Sequence, residues 1–292
     1  MKNTKTTLTS LACSLTLLAA LPLQAAINVD GTLDGDYGSA LAVQTINTGF
    51  GVSTIGDGTS VGGSELDAAY GTVAGGNLYL FLSGNFEANG NHINVFLADG
   101  RSGQSTFGIS GGTFSAMNGS KFSPGFSATY ALDLNDYSGT VYTDNADLVA
   151  NTTGYAGAVG LAGGIGNGSI AGGIQLGLNN THVSTMGAAG TAANSAAMLS
   201  TMTGLELAIP LSLLGNPTGA IGVMADINGG NDGYLSNQFL PGLAVGTGNP
   251  GGTTFDFSST PGEYFVVEVP EPSTFALLGA GLAGLLWLRR RQ

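Results

Sequence analysis

Asp67-Ala68-Ala69-Tyr70-Gly71-Thr72-Val73, Gly75-Gly76-Asn77 and Leu78-Tyr79-Leu80-Phe81-Leu82 follow one another along the chain. The first run suits a strand, the second is a turn whose glycines accept positive φ, and the third is apolar on both faces, as a central strand is. A further turn over 85–91 leads into His92-Ile93-Asn94-Val95-Phe96-Leu97, which alternates apolar with mixed residues at the two-residue period of a strand. The stretch reads as a three-strand antiparallel meander, and it sets the fold class as all-β.

The rest of the chain extends the same reading. Leu205-Glu206-Leu207-Ala208-Ile209 alternates and is ended by Pro210, after which Leu211-Ser212-Leu213-Leu214-Gly215 suits one helical turn closed by glycine. Ile221-Gly222-Val223-Met224-Ala225-Asp226-Ile227 is another strand, and 264–269 the last. The Gly-, Ala-, Asn- and Ser-rich region 151–197 fits either short strands near 158–161 and 174–178 or a low-complexity linker. Of 292 residues only 9% are charged and 50 are glycine, which leaves little material for long surface helices. Strands at this spacing, with no βαβ alternation, predict a large two-sheet antiparallel β-sandwich, jelly-roll-like, over 27–269.

Charge narrows the function. Between Ile27 and Pro270 eighteen Asp and Glu face only Arg101 and Lys121. Nothing there can displace counterions from phosphates, so nucleic acid is excluded as a partner. The acidity suits an extracellular protein and leaves room for divalent cations. Cys13 is the single cysteine. It precedes the apolar run instead of following it, against a lipid-attachment site, and its removal would leave no thiol for disulfide, metal or nucleophile chemistry.

Both ends carry addressing signals. Lys2 and Lys5, the apolar stretch 8–23 and the exit Pro22-Leu23-Gln24-Ala25-Ala26 make 1–26 a cleavable signal peptide with a helical core. At the other end Val269-Pro270-Glu271-Pro272-Ser273-Thr274 precedes a fourteen-residue apolar run over 275–288 and then Arg289-Arg290-Arg291. The run is short for a membrane helix, and the arginines place its end in the cytoplasm and the main domain outside. Gly279-Ala280-Gly281-Leu282-Ala283-Gly284 spells GxGxxG but follows no strand, so it is read as helix-packing surface and not as a nucleotide loop.

Residues 270–292 resemble the PEP-CTERM sorting signal, with its Pro-Glu-Pro start, short membrane helix and arginine cluster. The resemblance implies export by the general secretion machinery in a Gram-negative bacterium that makes exopolysaccharide. It also implies a transient stay in the inner membrane, recognition by an exosortase near Pro270-Glu271-Pro272, and delivery to the cell surface or extracellular matrix. An ordinary single-span anchor would use the same helix without needing the Pro-Glu-Pro. Separately, Asn28-Val29-Asp30-Gly31-Thr32-Leu33-Asp34 with Tyr37-Gly38, the strand Leu78-Tyr79-Leu80-Phe81, and Glu206-Leu207-Ala208-Ile209-Pro210 resemble carbohydrate-binding-module-9-like and DOMON-like sandwiches. There an Asp-Gly turn leads into an aromatic packed on the core.

Chemistry-bearing residues are sparse. His92 and His182 are the only histidines, one read as a partly satisfied strand residue and the other as solvated. No HExxH, GxSxG or paired-histidine zinc pattern is present, and no enzyme is expected. Carboxylate pairs for glycoside hydrolysis exist in any acidic protein. Two acidic clusters are calcium candidates: Asp133, Asn135, Asp136, Asp144 and Asp147, and then Asp226, Asn228 and Asp232. Their carboxylate and amide oxygens suit a hard cation, but they lack EF-hand spacing and equally suit ordinary turns. The sequence favours a non-catalytic surface or matrix protein associated with exopolysaccharide and biofilm. The alternatives are a carbohydrate- or calcium-binding module, for which Tyr37, Tyr70, Tyr130, Tyr137, Tyr142, Tyr155, Tyr234 and Tyr264 offer stacking faces, and an exported hydrolase.

Overall fold

Gly75 (φ 56°) and Gly76 (φ 83°) form a two-residue turn with both centres in the left-handed region, the geometry that matches strand twist in a tight hairpin. It joins two of the thirteen strands of a computed structural model that describes residues 27–50, 64–182, 188–270 and 289. In chain order these are β1 (Ala42–Val43), β2 (Glu65–Ala74), β3 (Asn77–Asn85), β4 (Asn89–Ala98), β5 (Tyr130–Tyr137), β6 (Thr140–Asp147) and β7 (Thr152–Gly160). There follow β8 (Ile165–Ser169), β9 (Gln175–Asn179), β10 (Gly204–Pro210), β11 (Ile221–Asn228), β12 (Leu235–Leu240) and β13 (Phe265–Val267).

Sheet one runs β1-β2-β3-β10-β9-β8 and sheet two β12-β11-β4-β5-β6-β7, with β13 pairing the first half of β11. Every pairing is antiparallel. The two-sheet all-β architecture is thus as expected, but the three-strand meander is not. β2 and β3 pair, whereas β4 crosses to the other sheet, between β11 and β5. The Gly- and Asn-rich region 151–197 contributes β7, β8 and β9, so it is not a linker.

Leu78, Leu80 and Leu82 of β3 and Leu205, Leu207 and Ile209 of β10 meet Ile93, Val95, Leu97, Leu132, Leu134, Val223, Ala225 and Ile227 between the sheets. Burying each such side chain stabilises by about 1.5–3 kcal/mol. The outward face of sheet two is also covered. Segments 99–129 and 243–257 lay Phe107, Phe114, Phe122 and Phe255 over Phe96, with ring centroids 5.6 Å (Phe107), 5.1 Å (Phe122) and 6.1 Å (Phe255) from it. β4 and β11 are therefore buried on both faces, which is why their polar residues lie in the interior.

The Asp30-Gly31 turn and Glu206, far apart in sequence, meet on the outward face of sheet one. Tyr37 packs on Phe81 and donates its hydroxyl to Glu206 Oε1 at 2.8 Å, while the Asp30 and Gly31 N–H groups donate to Glu206 Oε2 at 2.9 and 3.0 Å. A buried carboxylate thus ties the N-terminal segment down. Burial lifts Glu206 to about 7 although these three donors pull the other way.

Candidate metal centre

Antiparallel register decides what shares a face. Asp226 stands opposite Asn94, Asn94 opposite Asp133, and Asp133 opposite Asp144, a transverse polar row across β11, β4, β5 and β6. The neighbouring row is Asn228, His92, Asn135 and Tyr142. Side chains alternate between faces, so both rows share the outward side with Phe96. Asp232 joins them from the 3-10 turn Gly230–Asp232, where Asn231 (φ 55°) and Asp232 (φ 52°) are consecutive left-handed residues. Backbone strain of this kind is sustained where the surroundings fix it. Here it aims the Asp232 carboxylate and the Asn231 N–H into the rows.

The hydrogen bonds leave a definite remainder. His92 Nδ1 lies 2.6 Å from Asp133 Oδ1. The Asn231 N–H donates to His92 Nε2 at 3.1 Å, which places the imidazole proton on Nδ1, donated to Asp133. Asn94 Nδ2 and Asn228 Nδ2 both donate to Asp232 Oδ1, at 2.9 and 3.2 Å. Six buried oxygens are then without a hydrogen-bond partner: Asp133 Oδ2, Asp232 Oδ2, both oxygens of Asp226, and the Oδ1 atoms of Asn94 and Asn228. One donor atom each from His92, Asp133 and Asp232 lies within 4.8 Å of the others. A buried unpartnered polar group is costly and an unpartnered charge more so.

Among the described residues no basic side chain other than His92 relieves this charge. Arg101 is engaged by Asp99 (2.6 Å) and Lys121 by Asp256 (2.9 Å). Burial pushes Asp226 well above the ordinary carboxylate value, with Asp232 adding to the effect, and burial lifts Asp232 to about 7. Burial lowers His92, and the hydrogen bond and charge of Asp133 more than offset that, so its net shift is upward. With both nitrogens of His92 engaged, three carboxylates and two amide oxygens remain, an all-oxygen set of the kind a hard cation takes.

Above the rows opens a cleft of about 460 Å³, lined by His92, Thr113, Asp133, Tyr137, Tyr142 and Asp144 among others. Thr113 donates to Asp144 Oδ2 at 3.0 Å, so the turn Thr113–Met117 roofs one side. Tyr137 and Tyr142 are exposed.

The two acidic clusters of the sequence therefore merge, though not as loops. Asp133, Asn135, Asp136, Asp144 and Asp147 lie on the paired strands β5 and β6, joined by a Ser138-Gly139 turn. Asp136 faces the other way, beside Leu134 and Val141, where burial lifts it to about 6. Asp147 accepts the N–H groups of Val149 and Ala150, both at 2.9 Å, and caps the turn into β7. Neither belongs to the centre. His92 and Asn94 do, and the alternation of β4 was the signal for them: both share a face with Phe96. His182 is not solvated but half-buried, and burial pushes its pKa below the ordinary value.

The terminal signals fall almost wholly elsewhere. Val269, Pro270 and Arg289 are described, while 1–26, Glu271, Pro272, Ser273, the apolar run 275–288, Arg290 and Arg291 lie outside the described residues. Among the described residues no helix is long and apolar enough to cross a membrane. Residues 268–291 match the family model of the PEP-CTERM protein-sorting motif. No curated protein and no solved structure gives a significant match to the chain. With its tail carrying that motif, this chain is a PEP-CTERM motif-containing exported protein of the β-sandwich class.

Proposed function

We propose that this protein is a non-catalytic surface or matrix protein, sorted by an exosortase into an exopolysaccharide-rich matrix, whose sandwich is locked by one buried calcium ion. The observation that carries the calcium reading is the set of six unpartnered buried oxygens on Asn94, Asp133, Asp226, Asn228 and Asp232. A cation taking 6–8 oxygen ligands would give these oxygens a partner and offset most of the charge of the three buried carboxylates. His92 is a positioning residue: by holding Asp133 Oδ1 it leaves Oδ2 facing the cluster. The location supports a structural ion, since Asp226 and Asp232 are fully buried and out of reach of any large ligand. The non-catalytic reading is supported by the sequence, which carries no HExxH, GxSxG or paired-histidine zinc pattern.

The sorting motif supports the matrix destination. Replacing Pro270-Glu271-Pro272 by alanines is expected to retain the chain in the inner membrane fraction. Unchanged delivery to the culture supernatant or cell surface would contradict exosortase handling.

A second reading, a carbohydrate-binding module, is favoured by one feature, the exposed Tyr137 and Tyr142 beside the cleft. Tyrosine offers a stacking face together with a hydrogen-bonding hydroxyl. Retention on purified exopolysaccharide separates the two: saturable binding lost in Tyr142→Ala supports the module, and weak, salt-sensitive retention unaffected by that change supports the matrix role.

A further inference from the structure

A second cluster lies at sheet one and shares no residue with the polar rows of sheet two. β2 pairs with β3 as Leu66 opposite Gly84 and Ala68 opposite Ser83, so Asp67 is the extra residue of a β-bulge. Bulges re-aim a side chain out of the regular alternation and are frequent beside functional sites. Asp67 is 1% exposed, and neither of its carboxylate oxygens has a partner at hydrogen-bond distance, the Thr201 hydroxyl acting on it only weakly against the effect of burial. His182, from the connector after β9, places Nε2 3.8 Å from Asp67 Oδ2 and 3.3 Å from the Thr201 hydroxyl. Glu65, also on β2, completes the group: one donor atom from each of Glu65, Asp67 and His182 lies within 4.8 Å of the other two. Asn85 Nδ2 donates to Glu65 Oε1 at 3.4 Å.

The spacing is informative. At 3.8 Å the imidazole and carboxylate are too far apart for a hydrogen bond. Two ligands at about 2.0–2.1 Å from one tetrahedral ion sit roughly 3.3 Å apart, so a small inward movement brings the pair to coordinating distance. An imidazole with two carboxylates is a mixed donor set suited to zinc and its borderline neighbours, unlike the all-oxygen remainder on sheet two. The His182 side chain is 23% exposed, which gives an ion a route in from solvent.

We propose that Glu65, Asp67 and His182 bind a divalent transition metal of the zinc class, with the fourth position left to the Thr201 hydroxyl or to water. Such an ion would clip the β9–β10 connector, which carries His182 and Thr201, onto the bulge of β2. This site is independent of the calcium reading, since it shares no residue with it.

The probe is Co2+, whose visible d–d absorption reports four-coordinate sites. The purified full chain titrated with Co2+ is expected to show saturable visible absorption that Zn2+ abolishes. Both His182→Gln and Asp67→Asn should lose it, while Asp133→Asn on the other sheet should keep it. Asp67→Asn removes a buried, unpartnered charge and so should fold with an unchanged or higher melting temperature without metal, which keeps the test decisive if His182→Gln fails to fold. Absence of absorption in the parent chain, or absorption that survives Asp67→Asn, would overturn the proposal. A Co2+ spectrum lost in Asp133→Asn and retained in His182→Gln would overturn it as well, by moving the metal to sheet two.

Discussion

Asp226 concentrates the energetics of the centre at a single residue. It lies in the middle of a doubly covered sheet with both carboxylate oxygens unpartnered and its pKa pushed well above the ordinary value by burial. Such a group opposes folding when it is charged, and a bound cation reverses the sign. Asp226→Asn is therefore expected to stabilise the metal-free protein by about 1–3 kcal/mol, and to abolish most of the added stability given by calcium. Urea denaturation in chelator and in calcium measures both, and destabilisation in chelator would mean that the carboxylate is already compensated. Tyr37 is the opposite case, because its hydroxyl is a donor to a buried carboxylate. Tyr37→Phe should cost about 1.5–3 kcal/mol by leaving Glu206 with two backbone donors only, read as a lower denaturation midpoint at unchanged slope.

At the scale of elements, turns and register carry the design. Gly31 (φ 80°) lies so close to the chain that a Cβ would sit 2.3 Å from Asn179 N and 2.8 Å from Gly204 O. Gly31→Ala should therefore detach the N-terminal segment from Glu206 and cost more than about 2 kcal/mol, seen as early proteolysis near residue 31 and a lower melting temperature. The same scale shows what the sequence could and could not tell. The hairpin of β2 and β3 was legible because Gly75-Gly76 sits between two apolar runs. β10, the Leu211–Gly215 turn and β11 were legible for similar reasons of alternation and punctuation. β5 and β6 were not, since Asp133, Asn135, Asp136, Asp144 and Asp147 have turn chemistry that masked the short alternation of Leu132 and Leu134 with Asp133 and Asn135. The transfer of β4 to the second sheet was invisible too, because neighbouring strands usually pair and only the crossing after Asn85 prevents it. Once β4 stands between β11 and β5, two acidic clusters some ninety residues apart become one row. The candidate centre is thus a product of topology: Asp133, Asp226, Asn228 and Asp232 were nameable in advance, His92, Asn94 and the convergence were not.

For the whole molecule the titrations act together. Glu206, Asp67 and Asp232 rise to about 7, and Asp136 to about 6, each through burial. A carboxylic acid with a folded pKa above its unfolded value holds its proton longer in the folded state. Its contribution is fully present below about pH 4 and is lost as pH climbs through the folded value near 7. The metal-free protein should therefore lose stability between about pH 4 and about pH 7, the reverse of ordinary acid unfolding in that window. At the centre calcium competes with the protons of Asp232 and Asp226, so its stabilisation should grow as pH rises. The most direct test is thermal unfolding of the full chain in chelator and in millimolar calcium, at about pH 5 and about pH 7.5. The account expects calcium to raise the melting temperature strongly at the higher pH and only slightly at the lower, with the higher-pH shift lost in Asp226→Asn. An identical melting temperature with and without calcium at both pH values would contradict it.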